Sequence, residues 1–147
     1  VSARQPLHGT VAACWTPGAG WRAVLITGPA GAGKSDLALR LIGRGWRLVA
    51  DDYAHVTASG GALYAVAPET ISGRMEARGV GIVPACPRGV TRLSLVVELT
   101  DEGAGGPVER LPEPAARTIE GVALPLLRLN GFEASAVEKV ATALARL

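Results

Sequence analysis

The chain has 147 residues, 48% of them apolar, which suits one domain with a substantial core and is too many for a disordered chain. A formal charge of +2 gives no basis for a nucleic-acid or membrane-surface partner, and no apolar run approaches the roughly 20 residues that span a bilayer. The N-terminus shows no basic segment leading into a signal-peptide core, and Cys14 and Cys86 lack CxxC or metal-ligand spacing. These features read as a single cytoplasmic domain over 1–147 with buried or incidental thiols.

In chain order, residues 4–14 start polar and become a first strand, Trp15 to Trp21 form a Pro/Gly turn, and Ala23 to Thr27 form a second strand. This antiparallel hairpin puts His8 on the strand beside the one that ends at Thr27. Taken alone, a single histidine there reads as structural or solvated more readily than as catalytic.

Gly28-Pro29-Ala30-Gly31-Ala32-Gly33-Lys34-Ser35 follows directly, between that strand and a helix with Leu37, Ala38, Leu41 and Ile42 on one stripe. Strand, glycine-rich turn and helix form the context in which a GxxxxGK[ST] match means a phosphate cradle. Glycines let backbone N–H groups converge on phosphate oxygens, and the helix N-terminus adds partial positive charge. Lys34 can reach the β- and γ-phosphates, and the Ser35 hydroxyl can ligate an accompanying Mg²⁺.

Gly43-Arg44-Gly45 ends the helix, and a buried strand over 46–50 runs into Asp51-Asp52, whose first acid lies 17 positions after Lys34. A carboxylate at a strand end near a phosphate cradle can hold Mg²⁺ or take the proton of an attacking hydroxyl. Adjacent acids point to opposite faces of a strand, so two roles are sterically natural.

A second hairpin spans 55–66 around Gly60-Gly61. The segment 67–83 reads as helical or irregular, ending in a glycine-punctuated strand that contains Glu76 and Arg78. Residues 90–100 hold the strongest β run, 101–118 read as a polar Pro/Gly-rich loop carrying Arg110, and 120–129 as a strand that Pro125 makes an edge or bent one. The last helix starts near Ser135, paired with Glu138 as a capping box, and buries Val137, Val140, Ala141, Leu144 and Leu147.

Together these motifs resemble the HPr kinase/phosphorylases, from about His8 to the C-terminus. The most specific stretch is Gly28 to Leu39 followed by Arg44 to Asp52; a second, Gly73 to Ile82, is similar to the family's Glu-x-Arg-Gly-x-Gly-Ile signature. The resemblance implies an α/β P-loop domain of phosphoenolpyruvate-carboxykinase-like type, a mixed β-sheet with packed helices. It also implies an ATP-dependent serine kinase of an HPr-type phosphocarrier of the phosphotransferase system, with phosphate-dependent dephosphorylation as a second activity. By position, Asp52 matches the proton acceptor, Lys34 the P-loop lysine, His8 the His-Gly before the hairpin, and Arg110 the catalytic arginine. Ser35 and Glu76 match the Mg²⁺ ligands, with Asp51 in support, and Gly28, Pro29, Ala30, Gly31, Ala32, Gly33, Lys34 and Ser35 would bind ATP. The family assembles as homo-oligomers, hexamers in known members.

Three features depart from the family's long forms. The chain has no counterpart of their N-terminal domain and resembles the short form of α-proteobacteria. The hairpin before Lys34 is several residues longer. Residues 124–131, where long forms carry a basic loop associated with dephosphorylation, hold only Arg128 as a cation. On the residues alone, a P-loop kinase of a small metabolite and a non-catalytic nucleotide-sensing module stay open as alternatives.

Overall fold

The computed structural model describes residues 5–68, 73–85, 87–100 and 112–147. Among them, nine strands form one mixed sheet and two more form a separate hairpin. The sheet is built around β9 (Thr91–Leu99), which buries Leu93 and Val96 on one face and Leu95 and Val97 on the other, across a register shift after Leu93. One flank of β9 pairs in parallel with β3 (Gly20–Thr27). Its other flank is shared: β6 (Ala62–Val66) pairs antiparallel to residues 91–93, and β11 (Val122–Leu129) pairs in parallel with 96–99.

Two long ribbons carry the sheet round on itself. β1 (Leu7–His8) runs through Gly9 into β2 (Thr10–Thr16), and β4 (Arg47–Ala50) runs through Asp51-Asp52 into β5 (Tyr53–Ser59). β2 pairs with β3 and β4, but β1 pairs with β5, which also pairs with β6. The sheet therefore curls until its two ends meet. Period-two alternation then separates two cores. Val11, Ala13, Leu25, Leu63 and Val96 fill the inside of the curl. Ala12, Val24, Ile26 and Val97 face outward and are covered by helices α1 (Lys34–Ile42) and α2 (Ala136–Ala145).

The helices form for local reasons. Leu37, Ala38 and Leu41 make the buried stripe of α1, as their spacing predicts, and Gly43 caps its C-terminus. In α2, Val137, Val140 and Leu144 are buried, but Leu147 lies past the helix and is exposed. Ser135 is its N-cap by position yet makes no side-chain cap bond. The expected capping box does not form, because the Glu138 carboxylate bonds Arg44 at 2.9 Å instead. Backbone hydrogen bonding and that guanidinium hold Glu138 below the usual carboxylate range.

Other expectations are corrected. Trp15 and Thr16 belong to β2, opposite Trp21 and Gly20, so the turn is shorter than the sequence suggests. The two indoles meet edge-on at 6.1 Å, and this cross-strand aromatic pair prolongs the ladder. Part of the expected 101–118 loop is strand: β10 (Ala115–Ile119) pairs with β11 about a turn at Glu120-Gly121, both with positive φ. Pro125 sits where β11 pairs only with β10, consistent with its missing N–H. The irregular reading of 67–83 gives way, over its described part, to a hairpin of β7 (Arg74–Ala77) and β8 (Gly81–Pro84). Cys14 is a free thiol whose pKa burial pushes up, against the pull of Arg22; Cys86 lies outside the described residues. Among the described residues, no helix is long and apolar enough to cross a membrane.

Gly9 is the tightest point of the curl. A Cβ there would lie 2.8 Å from Leu25 Cδ1 and 2.9 Å from the Ile26 carbonyl oxygen. Gly9→Ala is therefore expected to destabilise the fold by about 1–3 kcal/mol, as overpacking does, read as a lower midpoint in thermal or urea unfolding. An unchanged midpoint would mean that the ribbon shifts freely at this bend.

Candidate active site

The phosphate-cradle motif has the backbone its sequence requires. Gly31 and Gly33 adopt left-handed φ values of 82° and 93°, and Gly28 sits so close to β9 that a Cβ would be 3.0 Å from the Leu99 carbonyl oxygen. Lys34 opens α1, and its buried Nζ donates to the carbonyls of Gly28 at 2.7 Å and Pro29 at 3.1 Å, spanning the loop from inside. The first-turn N–H groups of a helix have no intrahelical acceptor, so those of α1 open toward the loop.

At the end of β4 the two acids separate sharply. Asp51 is only 5% exposed and accepts three hydrogen bonds. Thr10 Oγ1 and Ser35 Oγ donate to its Oδ1 at 3.0 and 2.7 Å, and the Glu76 backbone N–H donates to Oδ2 at 3.2 Å. One carboxylate thus ties β2, the start of α1 and β7 together. Asp52 turns the other way at φ 64°, a conformation costing about 1–2 kcal/mol for most side chains and less for Asp. Its carbonyl accepts the Gly9 N–H at 2.8 Å, so the two ribbons bend at the same level. The acids do face different ways, but this bend separates them, rather than the alternation of a continuous strand.

A cavity of about 340 Å³ lies over the loop and is lined by Lys34, Ser35, Asp52, His8 and Glu76. Five of the residues singled out in the sequence therefore converge. Asp51 does not line this cavity and stands behind Ser35. Arg110 lies outside the described residues. His8 reaches the cavity by a different route from that expected: it pairs with Tyr53 of β5, not with β3, and the two rings pack at 5.3 Å. Gly9 lets the ribbon leave β3 and join β5 just before His8.

Five further lining residues carried no assigned role in the sequence: Ala77 and Arg78 at the β7–β8 turn, Asp36 and Leu39 on α1, and Phe132 between β11 and α2. Arg78 was visible only as part of a signature. Phe132 is the sole phenylalanine of the chain and follows a glycine, a weak hint that an aromatic ring is being brought close to backbone.

The residues fit a phosphate-bound divalent cation. Ser35 Oγ and the Glu76 carboxylate are hard oxygen donors beside the phosphate cradle, a set suited to Mg²⁺, which keeps waters and shares its ligands with substrate phosphates.

Fold and loop together define a P-loop domain with a curled mixed sheet. Residues 1–146 match the family model "HPr Serine kinase C-terminal domain", and the chain belongs to that family. It is 34% identical over 150 residues to an HPr kinase/phosphorylase of Chloroherpeton thalassium, covering 96% of this chain and 43% of that protein. A Clostridium kluyveri HPr kinase/phosphorylase is 52% identical over 60 residues, 41% of this chain and 20% of that protein. The matched length is thus less than half of either relative. The structure of the Hpr(Ser) kinase/phosphatase from Coxiella burnetii has the same fold, with a TM-score of 0.80 at 23% identity over 97% of this chain and 95% of that one.

Removing the central carboxylate leaves three donors without their acceptor. Asp51→Ala is expected to cost on the order of 3 kcal/mol, and Thr10→Val about 1 kcal/mol, measured by denaturant unfolding. Equal small effects would show that Asp51 does not hold the three segments together.

Proposed function

We propose that this chain is an ATP-dependent kinase for a serine of an HPr-type phosphocarrier protein. The observation that carries the reading is the convergence of Lys34, Ser35, Asp52 and Glu76 on one cavity above a phosphate cradle. Family membership names the substrate class; the cavity supplies the groups the reaction needs.

The ATP phosphates would lie on residues 28–35, with their outer oxygens against Lys34 and the N–H groups at the start of α1. Ser35 and Glu76 would hold Mg²⁺, which neutralises phosphate charge when bound. Asp51 fixes the Ser35 hydroxyl from behind. Asp52 lines the same cavity from the bend after β4 and would accept the proton of the incoming serine hydroxyl. The serine oxygen bonds to the γ-phosphorus as the bond to the β-phosphate oxygen breaks, leaving phosphoserine and ADP. Lys34, and Arg110 by the family resemblance, would steady the developing charge. His8, packed against the Tyr53 ring at a tilt and lining the cavity with Asp52, is suited to orient the acceptor side. Run backwards, inorganic phosphate would attack phosphoserine and yield pyrophosphate, with Asp52 as the acid.

The reverse direction is the weaker one in this reading. Arg128, the single cation of 124–131, is engaged on the sheet with Glu98 at 3.0 Å rather than aimed at the cradle. Phosphate-dependent dephosphorylation should accordingly be slow relative to kinase turnover.

Asp52→Asn should lower phosphate transfer to an HPr-type protein by about 10²- to 10⁴-fold, the range for loss of a general base, while ATP affinity changes little. Transfer is read as the phosphoserine mass increment and affinity by calorimetry. Full transfer by this variant would remove Asp52 from the chemistry. No transfer by the unaltered chain to any HPr-type protein, with ATP bound, would instead favour a small-molecule acceptor.

A further inference from the structure

Phosphoryl transfer leaves one flank of the cavity without a role. Phe132 stands there, 63% exposed, with its ring so close to Gly33 that a Cβ on that glycine would meet Cε1 at 3.0 Å. Its backbone is fixed from several sides. At Gly131, a Cβ would meet Leu99 Cδ1 at 2.9 Å and the Ala32 carbonyl oxygen at 3.0 Å, so the chain lies directly against the cradle. The Phe132 N–H donates to Asn130 Oδ1 at 2.9 Å. The Arg40 guanidinium donates to the carbonyls on both sides, Gly131 and, at 3.5 Å, Glu133, and is itself held by Asp36 at 3.1 Å. Leu39, 41% exposed and next to Arg40 on α1, faces the same cavity.

We infer that Phe132, flanked by Leu39, is the stacking platform for the base of the bound nucleotide. The inference rests on the phosphate-cradle reading and goes beyond it by placing the other end of the ligand. With the phosphates on Gly33 to Ser35, the sugar and base must run along the rim. The flank formed by His8, Asp52, Glu76 and Arg78 is polar and charged, and receives the acceptor hydroxyl. The two large apolar side chains of the cavity are Phe132 and Leu39, and at Phe132 a flat aromatic base finds a ring of matching chemistry, with Asp36 close by but turned to Arg40. Stacking on a phenyl ring recognises the face of a base and not its edge, so the platform adds affinity for nucleotides without choosing strongly among them.

The test compares ligands with and without a base on the full chain. Phe132→Ala should weaken ATP and ADP binding roughly tenfold, within the range that base–aromatic stacking supplies, while the affinity for inorganic tripolyphosphate stays within about twofold. Phe132→Tyr should retain ATP affinity, and thermal unfolding of both variants should match the parent. Equal losses for ATP and tripolyphosphate would overturn the inference, showing that the ring only shapes the cradle. Unchanged ATP affinity with a raised KM for the acceptor protein would overturn it too, placing Phe132 in protein docking. If the unaltered chain binds neither ATP nor tripolyphosphate, the cradle reading fails and the platform with it. If it binds both and Phe132→Ala changes neither, only the platform fails.

Discussion

The buried carboxylate of Asp51 is the point on which the site depends. A charge with so little exposure is costly unless its oxygens are fully hydrogen-bonded, and here both oxygens accept from protein donors. The three donors come from β2, the start of α1 and β7, segments far apart in sequence. The same interaction that makes the charge tolerable therefore fixes the Ser35 hydroxyl, the backbone of Glu76 and the base of the ribbon that carries His8. Asp52 gains its position from the adjacent bend, so two neighbouring acids serve different ends: one holds, the other faces the cavity.

Much of this was legible in the sequence where a function is local. Residues 28–35 form one contiguous stretch, and its glycines, lysine and serine lie where their spacing puts them. The strands whose apolar residues alternate or run continuously, β3 and β9, were equally plain. What could not be read is what depends on pairing. The neighbour of His8 changes at Gly9, and nothing in the local pattern announces that a strand will leave one partner for another. β10 was hidden because its turn places Glu120 at positive φ, a position where Asn, Asp or Gly would have signalled a hairpin. The Ser135–Glu138 capping box failed because Arg44, from the end of α1, offered Glu138 a charged partner.

The rim around Phe132 was missed for another reason. One exposed aromatic side chain carries no periodicity, and its importance comes from backbone proximity at Gly131 and from Arg40, more than 90 positions away in the chain. Arg40 pairs with Asp36 one helical turn earlier. In the fold it also holds the carbonyls beside Phe132, so the polar face of α1 shapes the loop that its apolar face helps to support.

The curl of the sheet has a kinetic consequence. The phosphate loop joins two elements adjacent in sequence, β3 and α1, and settles against Leu99 of β9. Asp52 and His8 reach their places only when Leu7 and His8 pair with Ala54 and Tyr53, a closure over more than 40 residues, while β3 must find β9 about 70 residues onward. Such distant pairings form slowly because loop closure must precede the contacts that reward it. The two parts of the site therefore wait on different events: residues 28–35 lie within one local strand–turn–helix unit, whereas Asp52 and His8 come together only when β1 and β5 pair.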